Sequence, residues 1–352
     1  MKILHVITSL RTGGAEKLMV DLLPRMKQAG HEVDLCVFDG VRTPFYDELE
    51  SRGIKVIALG HSVYSPIHVF KLMRLMKHYD VVHTHNTACQ YAVAMASMFA
   101  SCKTFTTEHN TTNRRRNAAW RWLDRWMYGR YDKVVCISEL TQKNLIAHVG
   151  EGIASKCEVI YNGIDLERFS AHATISPKDN TKKIVLMVSA FREQKDQPTL
   201  IRAMQHLPQT YVLKLAGGGD ERLISACKQL AIEHGVESRV EFLGVRTDVP
   251  TLLQEADVVV LSSHYEGLSL SSLEGMASGK PFIASDVEGL HDIVGGYGIL
   301  FSQGDDKALA HEIEHVCEDQ AYSDSVTAKC RERVKLFDIQ VMASKYYNLY
   351  IL

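Results

Sequence analysis

The sequence predicts an α/β fold made of two Rossmann-like domains. The chain has 352 residues, more than a single compact core usually holds, and domains of roughly 150 residues are the norm. Short apolar runs alternate with segments of helical periodicity, which is typical of parallel sheets covered on both faces. The alternation stops in one polar stretch and then restarts, so we expect two domains of similar architecture.

The first half, 1–165, is predicted to be the N-terminal Rossmann-like domain. Its strand-like runs include "KILHVIT", "EVDLCVF", "DVVHTH", "KTFTTEH" and "DKVVCIS". These runs are apolar on both faces, as buried parallel strands are. Helical segments such as "AEKLMVDLLPRMKQAG", which ends at a glycine stop signal, separate them.

The polar stretch 166–183 contains Pro177, many charges and little apolar periodicity, so we interpret it as a linker. The alternation restarts at 184–335, the predicted C-terminal Rossmann-like domain. The end of the chain is predicted to be helical, and we expect 336–352 to pack back on the N-terminal domain. Two such domains leave a cleft between them, and ligands bind outside the carboxyl ends of the strands.

Composition limits the class of protein. The net charge is -2, with 46% hydrophobic and 23% charged residues, so nothing global points to a nucleic-acid partner. Eight cysteines lie in apolar runs without a C-x-x-C pair, which indicates reduced core residues of a cytoplasmic protein. No run approaches the roughly 20 apolar residues that a transmembrane helix needs.

Two carboxylates stand out in "HYEGLSLSSLEGMASGKP", residues 264–281. Glu266 follows the predicted strand "DVVVLS", and Glu274 lies in the first turns of the next helix, whose free amides favour phosphate. Carboxylates accept hydrogen bonds from hydroxyls, so the pair suits a nucleotide sugar, which has hydroxyls on both sides of a diphosphate. The alternative is that Glu274 only stabilises a helix start and Glu266 is a solvated loop residue.

A series of motifs runs along the whole chain. In order they are "TGGAEKLMVDLL", "DVVHTHN", "TEHN", "ISELTQKNL", "VIYNGIDLERF", "SAFREQKDQPTLIRAM", "LAGGGDER" and the stretch around the two glutamates. This ordered set resembles the GT4 family of retaining glycosyltransferases. The resemblance implies the GT-B fold, with two Rossmann-like domains facing a central cleft. It also implies retaining transfer of a sugar from a UDP- or GDP-sugar to a glycan acceptor, in cell-surface polysaccharide or glycolipid synthesis, without a cofactor or metal.

The resemblance assigns roles to individual residues. Glu274 is expected to bind the ribose, Glu266 the hydroxyls of the donor sugar, and Lys195 the diphosphate. His109 is expected beside the reacting sugar, so His109, Lys195 and Glu266 form the predicted catalytic set. The backbone is expected to approach the donor at Gly13, Gly14, Gly267, Leu268 and Ser269.

The sequence departs from the family pattern at two places. Leu268 and Ser269 stand where the family often has Phe-Gly, which affects the contacts to the sugar. The family's diphosphate arginine corresponds to Ala190, and we hypothesise that Arg192 replaces it. The alternative is that Arg192 is a solvated loop charge.

The segment 111–133 interleaves arginines with aromatic residues. Such a helix can lie on an anionic membrane surface, and the resemblance places the acceptor here, often a polyprenyl-diphosphate glycan. The protein would then be peripheral at the inner face of the membrane. One alternative is a buried aromatic stripe with solvated arginines, and another is base stacking on RNA, which no motif supports. The residues predicted on the acceptor or membrane side are Arg114, Arg115, Arg116, Trp120, Trp122 and Trp126.

Other interpretations stay open at this point. His83 and His85, with Glu108 and His109, could hold zinc, but parallel strands with polar ends are the simpler interpretation and we predict no metal. A nucleotide-sugar epimerase shares the two-domain architecture, and a non-catalytic nucleotide-sugar-binding protein is a further alternative. The epimerase would need no acceptor, and the binding protein would hold the nucleotide sugar without converting it.

Overall fold

The computed structural model describes residues 1–11, 13–109, 120–170 and 181–351. The chain forms two compact units. Unit 1 comprises Met1–Gly163 and Ile339–Leu352, and unit 2 comprises Ile164–Asp338.

Unit 1 is built on a seven-stranded parallel sheet with the strand order β3-β2-β1-β4-β5-β6-β7. Helices alternate with its strands, as the sequence predicted. The elements are β1 (Lys2–Ile7), α1 (Gly14–Gln28), β2 (Glu32–Asp39), α2 (Pro44–Ser51), β3 (Lys55–Gly60), α3 (Ile67–Leu75), β4 (Val81–Thr84), α4 (Thr87–Ala96), β5 (Lys103–Glu108), α5 (Arg121–Gly129), β6 (Lys133–Cys136), α6 (Glu139–Val149) and β7 (Cys157–Val159).

Each face of this sheet has its own apolar core. Residues of α1 and α2 pack on one face, against side chains such as Ile3 and Ile7 of β1. Residues of α3, α4, α5 and α6 pack on the other face, against Leu4 and Val6. Neighbouring residues of β1 thus point to opposite cores, which explains why apolar residues occur on both faces of the strand.

Unit 2 repeats the architecture with a six-stranded parallel sheet in the order β10-β9-β8-β11-β12-β13. The elements are α7 (Leu166–Ser170), β8 (Lys183–Val188), α8 (Gln197–Ala203), β9 (Tyr211–Ala216), α9 (Glu221–Glu233), β10 (Val240–Gly244), α10 (Val249–Glu255), β11 (Val258–Leu261), α11 (Leu270–Ala277), β12 (Phe282–Ser285), α12 (His291–Val294), β13 (Ile299–Phe301), α13 (Asp306–Glu318) and α14 (Gln320–Val334).

The stretch predicted as a linker, 166–183, is structured at its start. Helix α7 packs beside α10 and α11 of unit 2. Phe169 is buried, and its carbonyl accepts a hydrogen bond of 3.2 Å from the Gln254 amide. The sequence did not predict this helix because most residues of the segment are polar and, among those that the structure describes, only Phe169 anchors it in the core.

The last helix, α15 (Ile339–Ile351), belongs to unit 1. Its buried face packs into the core that α1 shares with the sheet. Unit 2 is therefore inserted between two segments of unit 1. The α15 residues in this core are Ile339, Met342, Ala343, Tyr346, Leu349 and Tyr350.

All eight cysteines lie in the described part of the chain and are free thiols. Burial raises the pKa of Cys227 to about 11 and that of Cys330 to about 12, so neither is a reactive thiolate near neutral pH. Among the helices of the described residues, none combines the length and apolar character needed to cross a bilayer.

Candidate functional site

The strand order of unit 2 reverses at β8, which has β9 on one side and β11 on the other. Ligands of such sheets bind outside the carboxyl ends of the strands at this point. Two loops leave the sheet here: residues 189–196 follow β8, and residues 262–269 follow β11. They carry Lys195 and Glu266, two of the residues selected from the sequence.

Lys195 and Glu266 form an ion pair of low exposure. The Lys195 Nζ lies 2.5 Å from the Glu266 Oε1, and the two side chains are 14% and 5% exposed. The same oxygen accepts a bond of 2.7 Å from the Ser263 hydroxyl, and Oε2 accepts one of 3.3 Å from the Gln194 amide. Neither residue was predicted from the sequence: Gln194 lies inside the motif "SAFREQKDQPTLIRAM", and Ser263 lies between the predicted strand "DVVVLS" and Glu266.

Asp196 shapes the loop that presents Lys195. Its φ of 48° is left-handed, and its carboxylate caps α8 through the amide of Thr199 at 3.3 Å. Its carbonyl accepts a bond of 2.8 Å from the Ser262 hydroxyl, which ties the β8 loop to the β11 loop. Aspartate tolerates the left-handed conformation and is a favoured N-cap, so "KDQP" did contain a signal for this turn.

The backbone from Glu266 to Ser269 leads into α11. Gly289 packs against it so closely that a Cβ would lie 2.2 Å from the Glu266 carbonyl oxygen, and its φ of +88° also favours glycine. Leu268 is only 8% exposed, so its side chain is packed inside the unit. The Ser269 hydroxyl lies 3.1 Å from that of Ser271 and, within the described chain, caps no α11 amide. Glu274 is partly buried in the second turn of α11.

The loop after β9 packs against the β8 loop through two glycines. A Cβ on Gly217 would lie 2.0 Å from the Ser189 carbonyl oxygen, and one on Gly219 would lie 2.3 Å from that of Phe191. The φ angles of both glycines are positive, at 150° and 159°. The motif "LAGGGDER" therefore supports the loop that carries Lys195, a role that the sequence analysis did not assign.

Arg192 is exposed at the start of the one-turn 3-10 helix Glu193–Lys195. Within the part of the chain that the structure describes, its guanidinium does not join the Lys195–Glu266 cluster. Ala190 offers only its backbone, and its carbonyl accepts a bond of 3.1 Å from the Gln197 amide. The hypothesis that Arg192 replaces the missing arginine stays a prediction.

Unit 1 gathers histidines at the corresponding position of its own sheet, where β1 lies between β2 and β4. His5 lies on β1 and His83 on the adjacent strand β4, and His85 follows β4 directly. All three are buried, and His109, which follows β5, is partly buried beside them. His83, His85 and His109 stood out in the sequence, whereas His5, which lies inside the run "KILHVIT", did not.

Hydrogen bonds connect three of these rings in a row. The His5 Nδ1 lies 2.8 Å from the His85 Nε2, and the His85 Nδ1 lies 3.2 Å from the His109 Nε2. His83 stacks on the group but bonds elsewhere: its Nδ1 lies 2.5 Å from the Tyr350 hydroxyl, and its Nε2 lies 2.8 Å from the Thr107 hydroxyl. We call His5, His85 and His109 the histidine row.

The histidines are neutral near neutral pH because burial disfavours their charged form. Burial lowers the pKa of His5 to about 3 and that of His109 to about 4. For His83 and His85 burial, followed by the charges of neighbouring histidines, lowers the pKa well below its ordinary value. Neutral imidazoles can act as hydrogen-bond partners or metal ligands.

One nitrogen each from His5, His83 and His85 lies within 4.8 Å of the others, so these residue types could hold a metal ion. The set differs from the zinc alternative drawn from the sequence. Glu108 belongs to the opposite face of the sheet, where its carboxylate accepts a bond of 2.5 Å from the Tyr128 hydroxyl. Both nitrogens of His83 already have hydroxyl partners.

Gly13 is the N-cap of α1, and Gly14 is the first residue of that helix. A Cβ on Gly13 would lie 2.1 Å from the Glu16 carboxylate, so any larger residue would displace that side chain. The nearby Asn86 amide donates a bond of 2.9 Å to the Thr8 hydroxyl. The structure thus places both glycines at the carboxyl end of β1, and their predicted contact with the donor stays a prediction.

The aromatic residues of segment 111–133 separate into two groups. Trp120, Trp122 and Trp126 are 41%, 71% and 37% exposed, whereas Tyr128 and Tyr131 are buried. The tryptophans therefore do not form the buried stripe that was one alternative. Arg114, Arg115 and Arg116 lie outside the described residues.

Two family descriptions match the chain side by side. Glycosyltransferase Family 4 matches residues 12–168, and Glycosyl transferases group 1 matches residues 169–335. Together they span both units.

Individual proteins resemble the chain over most of its length. UDP-Gal:alpha-D-GlcNAc-diphosphoundecaprenol alpha-1,3-galactosyltransferase of Escherichia coli is 24% identical, covering 100% of this chain and 97% of that protein. Glycogen synthase of Mycobacterium tuberculosis is 27% identical, covering 77% of this chain and 68% of the synthase. The crystal structure of Anabaena HepE with UDP-glucose has a TM-score of 0.86 at 23% identity and covers 100% of both chains.

The Lys195–Glu266 pair generates a test of stability. We expect Lys195→Ala to destabilise unit 2 by roughly 3–5 kcal/mol, because the Glu266 carboxylate would remain buried without its cation. Amide exchange of β8 and β11 peptides in urea measures the loss.

Lys214→Ala is the matched control. Lys214 pairs with Glu255 at 3.5 Å in the same unit, but the side chains are 20% and 34% exposed, so we expect a loss of about 1 kcal/mol or less. Equal losses of stability in both variants would contradict the inference that burial makes Glu266 depend on its cation.

Proposed function

The chain belongs to glycosyltransferase family 4, has the GT-B fold and is a glycosyltransferase, and on that premise we propose that it transfers a sugar from a UDP-sugar with retention of anomeric configuration. The Lys195–Glu266 pair at the switch point of unit 2 carries the proposal. The pair places a cation beside a carboxylate. A diphosphate needs the cation as its partner, and the hydroxyls of a sugar can donate hydrogen bonds to the carboxylate.

In the proposed reaction, donor binding separates this pair. Lys195 turns to the diphosphate, and Glu266 accepts hydrogen bonds from the hydroxyls of the sugar. The amides at the start of α11, which the Ser269 side chain does not cap within the described chain, are available to the phosphates. As the bond to the sugar breaks, negative charge grows on the leaving diphosphate, and these groups stabilise it without requiring a metal ion.

The relatives support the choice of donor and acceptor. Structures of HepE were solved with UDP and with UDP-glucose, and the E. coli relative uses UDP-Gal and a GlcNAc-diphosphoundecaprenol acceptor. We therefore favour a UDP-sugar over a GDP-sugar, and a glycan linked to a polyprenyl diphosphate as the acceptor. The reaction would serve cell-surface polysaccharide or glycolipid synthesis.

Release of UDP tests the proposed reaction. We expect release from a UDP-sugar to require a lipid-diphosphate glycan and to yield a product with the anomeric configuration of the donor, read by proton NMR. Conversion of the donor sugar without any acceptor would identify an epimerase instead. Tight donor binding without turnover would identify a binding protein, and an inverted product would contradict retention.

Glu274 generates a second prediction. We expect Glu274→Ala to weaken UDP binding by about 1–3 kcal/mol, because a hydrogen bond from the ribose to a carboxylate is lost. The affinity for 2′,3′-dideoxy-UDP should change little, so the variant should lose the preference of the wild type for the ribonucleotide. Calorimetry with both ligands measures this difference.

Glu237→Ala, which removes an exposed carboxylate elsewhere in unit 2, is the control and should keep the full preference. If Glu274→Ala weakens both nucleotides equally, Glu274 supports the fold of the site and does not bind the ribose.

We also propose that the outer surface of α5 contacts an anionic membrane. Arg121, Trp122, Arg125 and Trp126 are exposed on one face of this helix, while Met127 lies in the core. Helix α4 lies between α5 and α3, and α3 exposes Phe70 together with the cations Lys71 and Arg74. Aromatic side chains beside cations suit the interface of an anionic bilayer, and this supports the proposal that the protein is peripheral at the inner face of the membrane.

Intrinsic fluorescence offers a direct measurement, because all three tryptophans lie at 120–126. We expect a blue shift with vesicles that contain anionic lipid and none with neutral vesicles, and added salt should reverse it. In co-sedimentation, Arg121→Gln should bind more weakly, since each cation near such a surface contributes about 1 kcal/mol. Lys307→Gln, an exposed change in unit 2, should bind like the wild type.

Binding that ignores lipid charge and salt would contradict the membrane proposal. If Lys307→Gln loses as much vesicle binding as Arg121→Gln, the protein is attracted to the vesicles by its overall charge and not through the surface of α5.

A further inference from the structure

We propose that His5 and His85 are positioning residues that hold His109 in a single tautomer, with its proton on Nδ1. The evidence is the histidine row, in which nitrogens of successive rings lie 2.8 Å and 3.2 Å apart. Both distances suit hydrogen bonds, and each such contact needs one N–H and one bare nitrogen.

The row has a direction because the middle ring is neutral. A neutral imidazole has one proton, so His85 donates to one neighbour and accepts from the other. If His5 donates from Nδ1, His85 donates from its own Nδ1 and His109 accepts at Nε2. If the direction is reversed, every proton moves to Nε2. The tautomer of His109 is therefore linked to that of His5, although the two rings do not bond to each other.

The far end of the row selects the direction. The His5 Nε2 is buried and, among the described residues, has no hydrogen-bond partner. In the reversed row this atom would carry an N–H without an acceptor, and orphaned buried N–H groups are rare in proteins. In the proposed row it is a bare nitrogen, which leaves no donor unpaired. His5 then donates from Nδ1, and the proton of His109 is also on Nδ1.

In this tautomer His109 can act as a hydrogen-bond donor. Its Nε2 is occupied by His85, so Nδ1–H is the group left to donate. Under the proposed function, on which this step rests, that N–H would donate to an oxygen of the donor sugar or its phosphate. His5 would act through two rings without touching the substrate.

Metal binding by His5, His83 and His85 is the competing interpretation. It fits the geometry poorly. The rings of His5 and His85 are nearly parallel, 13° apart, and their nearest nitrogens are at hydrogen-bond distance. A metal would also displace one of the two hydroxyl partners of His83.

Two-bond proton–nitrogen NMR spectra of the histidine rings in the full-length protein test the inference. We expect His5, His85 and His109 each to show a protonated Nδ1 and a bare Nε2 near neutral pH. A protonated Nε2 on His109, or a mixture of tautomers, would overturn the proposal. These spectra need no substrate, so they decide the matter even if the transfer assay fails.

Variants at position 5 separate positioning from simple packing. His5→Leu removes the donor to His85, and we expect a mixture of His109 tautomers and about tenfold slower turnover, with an unchanged KM for the donor. His5→Asn retains an N–H near the position of Nδ1 and should restore both the single tautomer and the rate.

His83→Leu is the matched control, because His83 is equally buried but lies outside the row. Its His109 spectrum should stay that of the wild type. Failure of His5→Asn to rescue the tautomer, or an equal change in His83→Leu, would contradict the inference. One equivalent of added Zn²⁺ should leave the ring signals unchanged, and a joint shift of His5, His83 and His85 would establish the metal site instead.

Discussion

The two sheets share one constraint: all of their strands are parallel, so every strand ends at the same edge of its sheet. At that edge the chain leaves the apolar core and can expose polar groups. Where the first strand of the sheet has neighbours on both sides, two loops diverge and leave room for a ligand. Lys195 and Glu266 occupy this position in unit 2, and His85, which follows β4 and contacts His5 of β1, occupies it in unit 1.

The two units solve the problem of buried polar groups in different ways. Unit 2 keeps both members of its pair close enough to compensate each other, and Ser263 and Gln194 add further bonds to the carboxylate. Such a pair can open when a ligand offers replacement charges. In unit 1, burial keeps the clustered imidazoles neutral, and hydrogen bonds join His5, His85 and His109 in a row. The first arrangement suits exchange of partners, and the second suits a fixed geometry.

The sequence was sufficient for the fold because parallel strands and amphipathic helices have distinct periodicities. For Glu266 the sequence showed the end of an apolar run, where a strand ends, whereas it indicated Lys195 only through the family resemblance, and the roles of both stay predictions. It was insufficient for His5, since a single polar residue inside a strand gives no indication of which neighbouring strand supplies its partner. Gly289 was missed for a similar reason: its close contact with Glu266 joins loops that periodicity does not align. The linker prediction missed α7 because one buried aromatic residue, Phe169, outweighs its polar neighbours.

The insertion of unit 2 into unit 1 affects the order in which the protein can fold. The hydroxyl of Tyr350 bonds to His83 across 267 positions of sequence, and Tyr346 bonds to Thr107 across 239. During synthesis, the sheet of unit 1 emerges first but lacks α15, which covers one of its faces. Unit 2 has all of its residues before α15 is made, so it can reach its native structure first. The first unit to be translated is thus the last to be completed. Until α15 is made, His83 lacks its contacts with the aromatic rings of Tyr346 and Tyr350.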